Sequence, residues 1–171
     1  MKKEFLTFLI SLFCALLFAT MAVAQQPVTD DILRPVAVKT DLYPADADAK
    51  KEIEDAVSTA ASKHKRVMLI FGGNWCYDCH VLDQALHEGE AGKIVEQELL
   101  LVHVDIGEGD KNLDLVQKYK IPLDKGVPAV AILGGDGKLL YSSGEGEFEA
   151  ARSMLRKDLI AFLNRWMTKS P

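Results

Sequence analysis

Cys76 and Cys79, spaced C-x-x-C in Trp75-Cys76-Tyr77-Asp78-Cys79, are the residues best placed to do chemistry. A bridge across two residues closes a tiny loop and restricts the unfolded chain little, so stability is a poor reason for the pair. Reversible thiol–disulfide exchange is a better one. The motif follows a short apolar run, Val67-Met68-Leu69-Ile70-Phe71, and Gly72-Gly73. Helical spacing then resumes through Val81, Leu82, Ala85 and Leu86. Cys76 therefore falls at a helix start, where free backbone N–H groups and the helix dipole favour an anion. That lowers the thiol pKa and supplies thiolate, the nucleophilic form. Cys79, three residues on, is placed to attack a mixed disulfide. Cys76 is thus expected to attack and Cys79 to resolve, with Trp75 forming part of a flat apolar surface for a bound chain.

The same stretch supports rival chemistries. Cys76-Tyr77-Asp78-Cys79-His80 also matches C-x-x-C-H, the attachment motif of c-type haem. His80 would be one axial ligand, and a methionine such as Met154 or Met167 the other. A haem protein has no need of a buried strand ending at the motif. Zinc is a weaker reading, since helical geometry carries His80 away from the sulfurs and no second ligand pair follows; no metal site is expected. His80 and His87, seven apart on one helix, read as ordinary surface residues. His64 reads as a helix-end residue and His103 as part of a strand, neither with a catalytic partner.

The 171-residue chain carries a formal charge of −5. Lys2 and Lys3 precede an almost wholly apolar stretch over 5–21, and Ala22-Val23-Ala24 has the small-x-small pattern of a cleavage site. This predicts a secretory signal peptide over 1–24, with an uncleaved membrane anchor as the alternative. Export points to the periplasm, or to secretion. Cys14 lies inside that segment, so the mature chain keeps two cysteines, and an oxidising compartment lets them pair. The mature chain is mildly acidic with no basic run, which argues against nucleic acid.

Residues 25–45, with Pro27, Pro35 and Pro44, read as an extended lead-in with one short edge strand over 36–38. Residues 46–171 form one domain. Ile53, Ala56, Val57, Ala60 and Ala61 mark an amphipathic helix. The apolar run 67–71 has the signature of a strand buried on both faces. A helix over 74–87, a helical segment over 91–98 and a buried strand over 99–106 follow. Leu113, Val116 and Tyr119 share the face of a short helix over 112–120. A strand over 129–133 turns through Gly134-Gly135-Asp136-Gly137 into an antiparallel return over 139–141. A final helix over 147–169 has Phe148, Ala151, Leu155, Phe162 and Trp166 as its core face, and the acidic stretch 145–149 is its solvated start. This order implies an α/β domain, a central mixed sheet sandwiched by helices.

The strand, the W-C-x-x-C motif and the following helix resemble the thioredoxin superfamily over most of residues 47–168. Gly126-Val127-Pro128, directly before the third strand, strengthens the likeness. The resemblance implies a thioredoxin-like fold, with a cis bond before Pro128 beside the active-site sulfurs. It implies that Val127 offers backbone hydrogen bonds to an extended substrate. It also implies a protein disulfide oxidoreductase that needs no cofactor beyond the Cys76–Cys79 disulfide. Its partners would be protein thiols and disulfides and, for a reductant, a membrane or periplasmic thiol electron donor. The alternative in the same fold is a non-catalytic binding module. Two features depart from thioredoxin. Its buried acid, six positions before the first cysteine, is replaced by Ile70. Its Gly-Pro between the cysteines is replaced by Tyr77-Asp78. The Asp78 carboxylate is expected to raise the pKa of Cys76 and make the couple more reducing, so Tyr77 and Asp78 are the tuning pair.

Overall fold

The computed structural model describes residues 36–167. The expected signal peptide, and the lead-in as far as residue 35, lie outside the described residues. Helix α1 (Ala49–Lys63) is capped by Asp48, whose side chain accepts from the Lys51 N–H at 3.1 Å. It buries Ile53 and Ala60 and ends at His64, which takes a left-handed conformation (φ 55°). Strand β1 (Arg66–Gly72) is buried at all seven positions. Helices α2 (Tyr77–Leu86) and α3 (Gly89–Glu98) carry the chain over to β2 (Leu99–Asp105), which pairs parallel with β1. After α4 (Leu113–Lys118), β3 (Ala129–Leu133) and β4 (Leu139–Ser142) add antiparallel, giving the order β2-β1-β3-β4. Helix α5 (Arg156–Met167) closes the described chain.

Alternation along β1 splits the core in two, because successive side chains leave a strand on opposite faces. Met68 and Ile70 meet Leu82 and Leu86 of α2, Val95 of α3, and Leu159 and Leu163 of α5. Val67, Leu69 and Phe71 meet Ile53 and Ala60 of α1 and Leu115 of α4. Each large apolar side chain removed from water contributes roughly 1.5–3 kcal/mol. The central strand is therefore fixed from both sides, and its C-terminal end is a rigid platform for the turn into α2. The mixed sheet between helices is the architecture expected from the sequence.

Three local expectations are corrected. Residues 36–38 form no strand; the next residue, Lys39, is held by His80 and Asp83 of α2. In α4 the buried residue is Leu115, while Leu113 is exposed. The last helix is interrupted, with a 3-10 turn over Ala151–Ser153 before α5 begins at Arg156. There the Arg152 N–H donates to the Asp78 carboxylate at 2.8 Å. Leu155 consequently points outward, and Leu159 and Leu163, one turn apart, carry the buried face with Phe148 and Ala151.

Candidate active site

Strand β1 ends at Gly72, and Gly73-Asn74-Trp75 turns the chain into α2. Cys76 is the N-cap of that helix: its Sγ accepts from the Cys79 N–H at 3.1 Å. Both sulfurs are buried, and they are joined in a disulfide with Cα atoms 5.3 Å apart. Val127-Pro128 is cis, and the Val127 carbonyl oxygen lies 3.5 Å from Cys76 Sγ. Trp75 is 55% exposed, and its indole N–H donates to the Gly107 carbonyl at 2.8 Å. The fold thus brings Trp75, the cysteines, Val127 and Pro128 to one rim, with Trp75 outside the core.

Asp78 has a partner that the sequence did not supply. Arg152 Nε lies 3.0 Å from both carboxylate oxygens and Nη2 lies 2.6 Å from Oδ2. Burial alone would raise the Asp78 carboxyl, but the bonds from Arg152 more than offset it and hold the group below the usual range. The guanidinium also stands 4.8 Å from the centre of the Tyr77 ring. The negative charge near Cys76 is therefore paired, and it repels the thiolate less than a lone carboxylate would.

The reading of His80 is corrected. It is 2% exposed, not a surface residue. Its Nε2 lies 2.9 Å from the Asn74 carbonyl oxygen, and its Nδ1 accepts from the Lys39 N–H at 3.4 Å. Both nitrogens are engaged by backbone, while Met154 and Met167 pack against the first apolar cluster. The donors of the haem reading are thus spent on the fold. Among the described residues no group of three or more His, Cys, Asp or Glu could hold a metal ion.

Asn74, Tyr43, Asp83 and Arg152 escaped the sequence reading. Asn74 grips the lead-in: its Oδ1 accepts from the Tyr43 N–H at 2.9 Å, and its Nδ2 donates to the Tyr43 carbonyl at 2.8 Å. That places the Tyr43 ring in one small cluster with Cys76 and Cys79. Asp83, one turn after Cys79, is 2% exposed and lies 2.6 Å from Lys39 Nζ and 3.3 Å from His103 Nε2. Burial pushes its carboxyl up, but the adjacent His103 and the bond from Lys39 prevail and hold it at about 2. Ile70, where thioredoxin has its acid, is fully buried in the apolar core. A helical i, i+4 spacing from Cys79 could have flagged Asp83; the rest depend on distant contacts.

The family model described as Thioredoxin-like matches residues 48–135. The chain belongs to the thioredoxin-like family. A disulphide isomerase from Xylella fastidiosa Temecula1 is 33% identical, with a TM-score of 0.70, over 76% of this chain and 98% of that one. A DsbH oxidoreductase (22% identity, TM-score 0.51, 88% and 96% covered) and a thioredoxin from Thermus thermophilus (16%, 0.52, 68% and 85%) share the fold. No curated protein matches the sequence. With its Cys76–Cys79 disulfide at the N-cap of α2, this family member is a thiol–disulfide oxidoreductase. Among the described residues no helix is long and apolar enough to cross a membrane.

Proposed function

We propose that this thioredoxin-like protein exchanges disulfides with extended protein chains outside the cytoplasm and works in the reducing direction. The observation that carries the reading is the rim itself, where Cys76 Sγ lies 3.5 Å from the Val127 carbonyl and beside the exposed Trp75. A substrate chain lies against Trp75 and Pro128 and takes backbone hydrogen bonds from Val127. The Cys76 thiolate attacks one sulfur of its disulfide, and the other leaves as thiolate. Cys79 then attacks Cys76, the mixed disulfide breaks, and the enzyme leaves oxidised. A membrane or periplasmic thiol carrier resets the pair, and no further cofactor is required.

Two ionised carboxylates on α2 support the reducing direction. Asp83 lies buried one turn beyond Cys79, its effect reduced by Lys39 and His103, and Asp78 lies between the cysteines, its effect reduced by Arg152. Both disfavour extra negative charge on the reduced pair, and a less stabilised reduced form is a stronger reductant. The basic and apolar stretch over 1–24 supports export to the periplasm. The likeness to a disulphide isomerase is compatible, because isomerisation repeats the same attack without net reduction.

Insulin reduction by the wild-type chain, beside Cys76→Ala and Cys79→Ala, tests the mechanism. Turnover lost in Cys76→Ala, with a mixed disulfide trapped by Cys79→Ala, is the expected result. A wild type without turnover would leave a non-catalytic binding module. Equilibration with glutathione tests direction: a potential near about −270 mV supports a reductant, and one near about −120 mV overturns it. N-terminal sequencing of the periplasmic fraction tests export.

A further inference from the structure

Tyr43 poses a problem that packing alone does not answer. Its side chain is 1% exposed, yet its hydroxyl has no hydrogen-bond partner among the described residues. A buried hydroxyl gives up its bonds to water and is normally paired, so an orphan needs a reason. The hydroxyl lies beside the redox pair. A Cβ on Gly72 would sit 2.5 Å from Cys79 Sγ and 2.6 Å from Tyr43 Oη. The two atoms flank one point and lie within about 5 Å of each other, a gap kept open by glycine at the end of β1. Asn74 fixes the Tyr43 backbone from both sides, and the His103 ring meets the Tyr43 ring edge-on at 5.2 Å. The orphan is therefore held in place, not free to turn to solvent.

We propose that Tyr43 donates a hydrogen bond to the Cys79 sulfur in the reduced protein, and loses that bond when the disulfide forms. In the disulfide the Cys79 sulfur is bonded to Cys76 and is a poor acceptor; as a thiol it accepts weakly, and as a thiolate it accepts strongly. Burial, then the charges of Asp83 and Asp105, push the Tyr43 phenol above its ordinary value. It keeps its proton and acts as a donor throughout. In the resolving step the Cys79 thiol gives its proton to water and its thiolate attacks Cys76. The Cys76–Cys79 bond forms, and the bond from Cys76 to the substrate breaks. The departing substrate sulfur takes the electron pair and a proton from water. Tyr43 steadies the charge on Cys79 until the attack consumes it.

Both halves of this role act in one direction. The bond favours the reduced form, and the orphan hydroxyl disfavours the oxidised one. Tyr43 therefore sets a limit on how reducing the couple becomes, opposing the effect of the α2 carboxylates. The role rests on exchange at the Cys76–Cys79 pair.

The test is Tyr43→Phe in the full chain, which keeps the ring and removes only the oxygen. Equilibration with glutathione should show the constant for reducing the pair falling about tenfold, a potential about 30 mV lower. Urea unfolding of both redox forms should show the reduced form losing stability relative to the oxidised one. A ring that only packs would shift both forms equally and leave the potential unchanged, which overturns the role. If the variant does not fold, the tyrosine Cζ signals of labelled wild-type protein decide it. The Tyr43 signal moves on reduction if the bond forms; an unmoved signal overturns it. A wild-type pair inert to glutathione would remove the exchange chemistry and this role with it, whereas equal exchange in both proteins removes Tyr43 alone.

Discussion

The Asp78 carboxylate is held by Arg152, 74 residues away in sequence, through the guanidinium and through the Arg152 backbone N–H. One ion pair thus fastens the dipeptide between the cysteines to the turn before α5. The pair is half exposed on the Arg152 side, so its direct contribution to stability is small. Its larger consequence is electrostatic.

Arg152→Gln leaves Asp78 uncompensated beside Cys76 and should lower the reduction potential by roughly 10–30 mV. Asp78→Asn leaves the guanidinium unpaired and should raise it by a similar amount. The double variant should return close to wild type, because the two charges act through each other. Equilibration of all four proteins with glutathione gives the cycle. Single shifts of the same sign would show that charge is not the cause.

Asp83 should make stability depend on pH. Its folded value, about 2, lies below the 3.8 of an unperturbed aspartate. A depressed carboxyl stabilises the fold above the unfolded value and loses that contribution as pH falls through the folded one. Asp83→Asn should therefore cost about 2 kcal/mol near pH 7. The difference should shrink between about pH 4 and pH 2. Urea midpoints at pH 7, 4 and 2.5 measure it, and a pH-independent gap would contradict the assignment.

Gly72→Ala should destabilise the protein by roughly 1–3 kcal/mol, because the added methyl runs into both Cys79 Sγ and Tyr43 Oη. Gly109→Ala makes a useful contrast, since nothing lies within 4 Å of a Cβ there, although φ is +97°. Its cost should come from the backbone alone and leave the redox potential unchanged. Gly72→Ala should change the potential as well.

Trp75→Ala should leave the unfolding midpoint nearly unchanged, since the ring is mostly exposed and makes one hydrogen bond to Gly107. For a protein disulfide it should raise KM about three- to tenfold with kcat little altered, the pattern of lost ground-state binding. Reduction of a small disulfide such as oxidised glutathione should be affected less. Equal loss on both substrates would mean that Trp75 acts on the cysteines and not on the bound chain.

Much of the site is local and so was legible along the chain. Residues 67–79 place an apolar run, two glycines, a tryptophan and two cysteines in the order that a strand end and a helix start require. Helix caps, periodicity and C-x-x-C geometry span only a few residues, and the terminus of α2 acts on Cys76 wherever the rest of the chain goes. The failures share an opposite cause. Leu155 fits a helical stripe from Phe148, but the stripe is broken where the Arg152 N–H turns to Asp78. His80 looks polar and exposed on its helix, yet the lead-in folds over it.

By itself, then, the sequence determined that two cysteines stand at the end of a buried strand and the start of a helix, ready for exchange. Only the tertiary structure decided what surrounds them. Arg152 comes from the far end of the chain to offset Asp78, and Tyr43 and Lys39 come from the lead-in to reach Cys79, His80 and Asp83. The physical reason is range. Helix formation and thiolate activation are set by neighbours a few residues away. Burial and charge pairing are set by whichever side chains the fold packs alongside, at any separation in sequence.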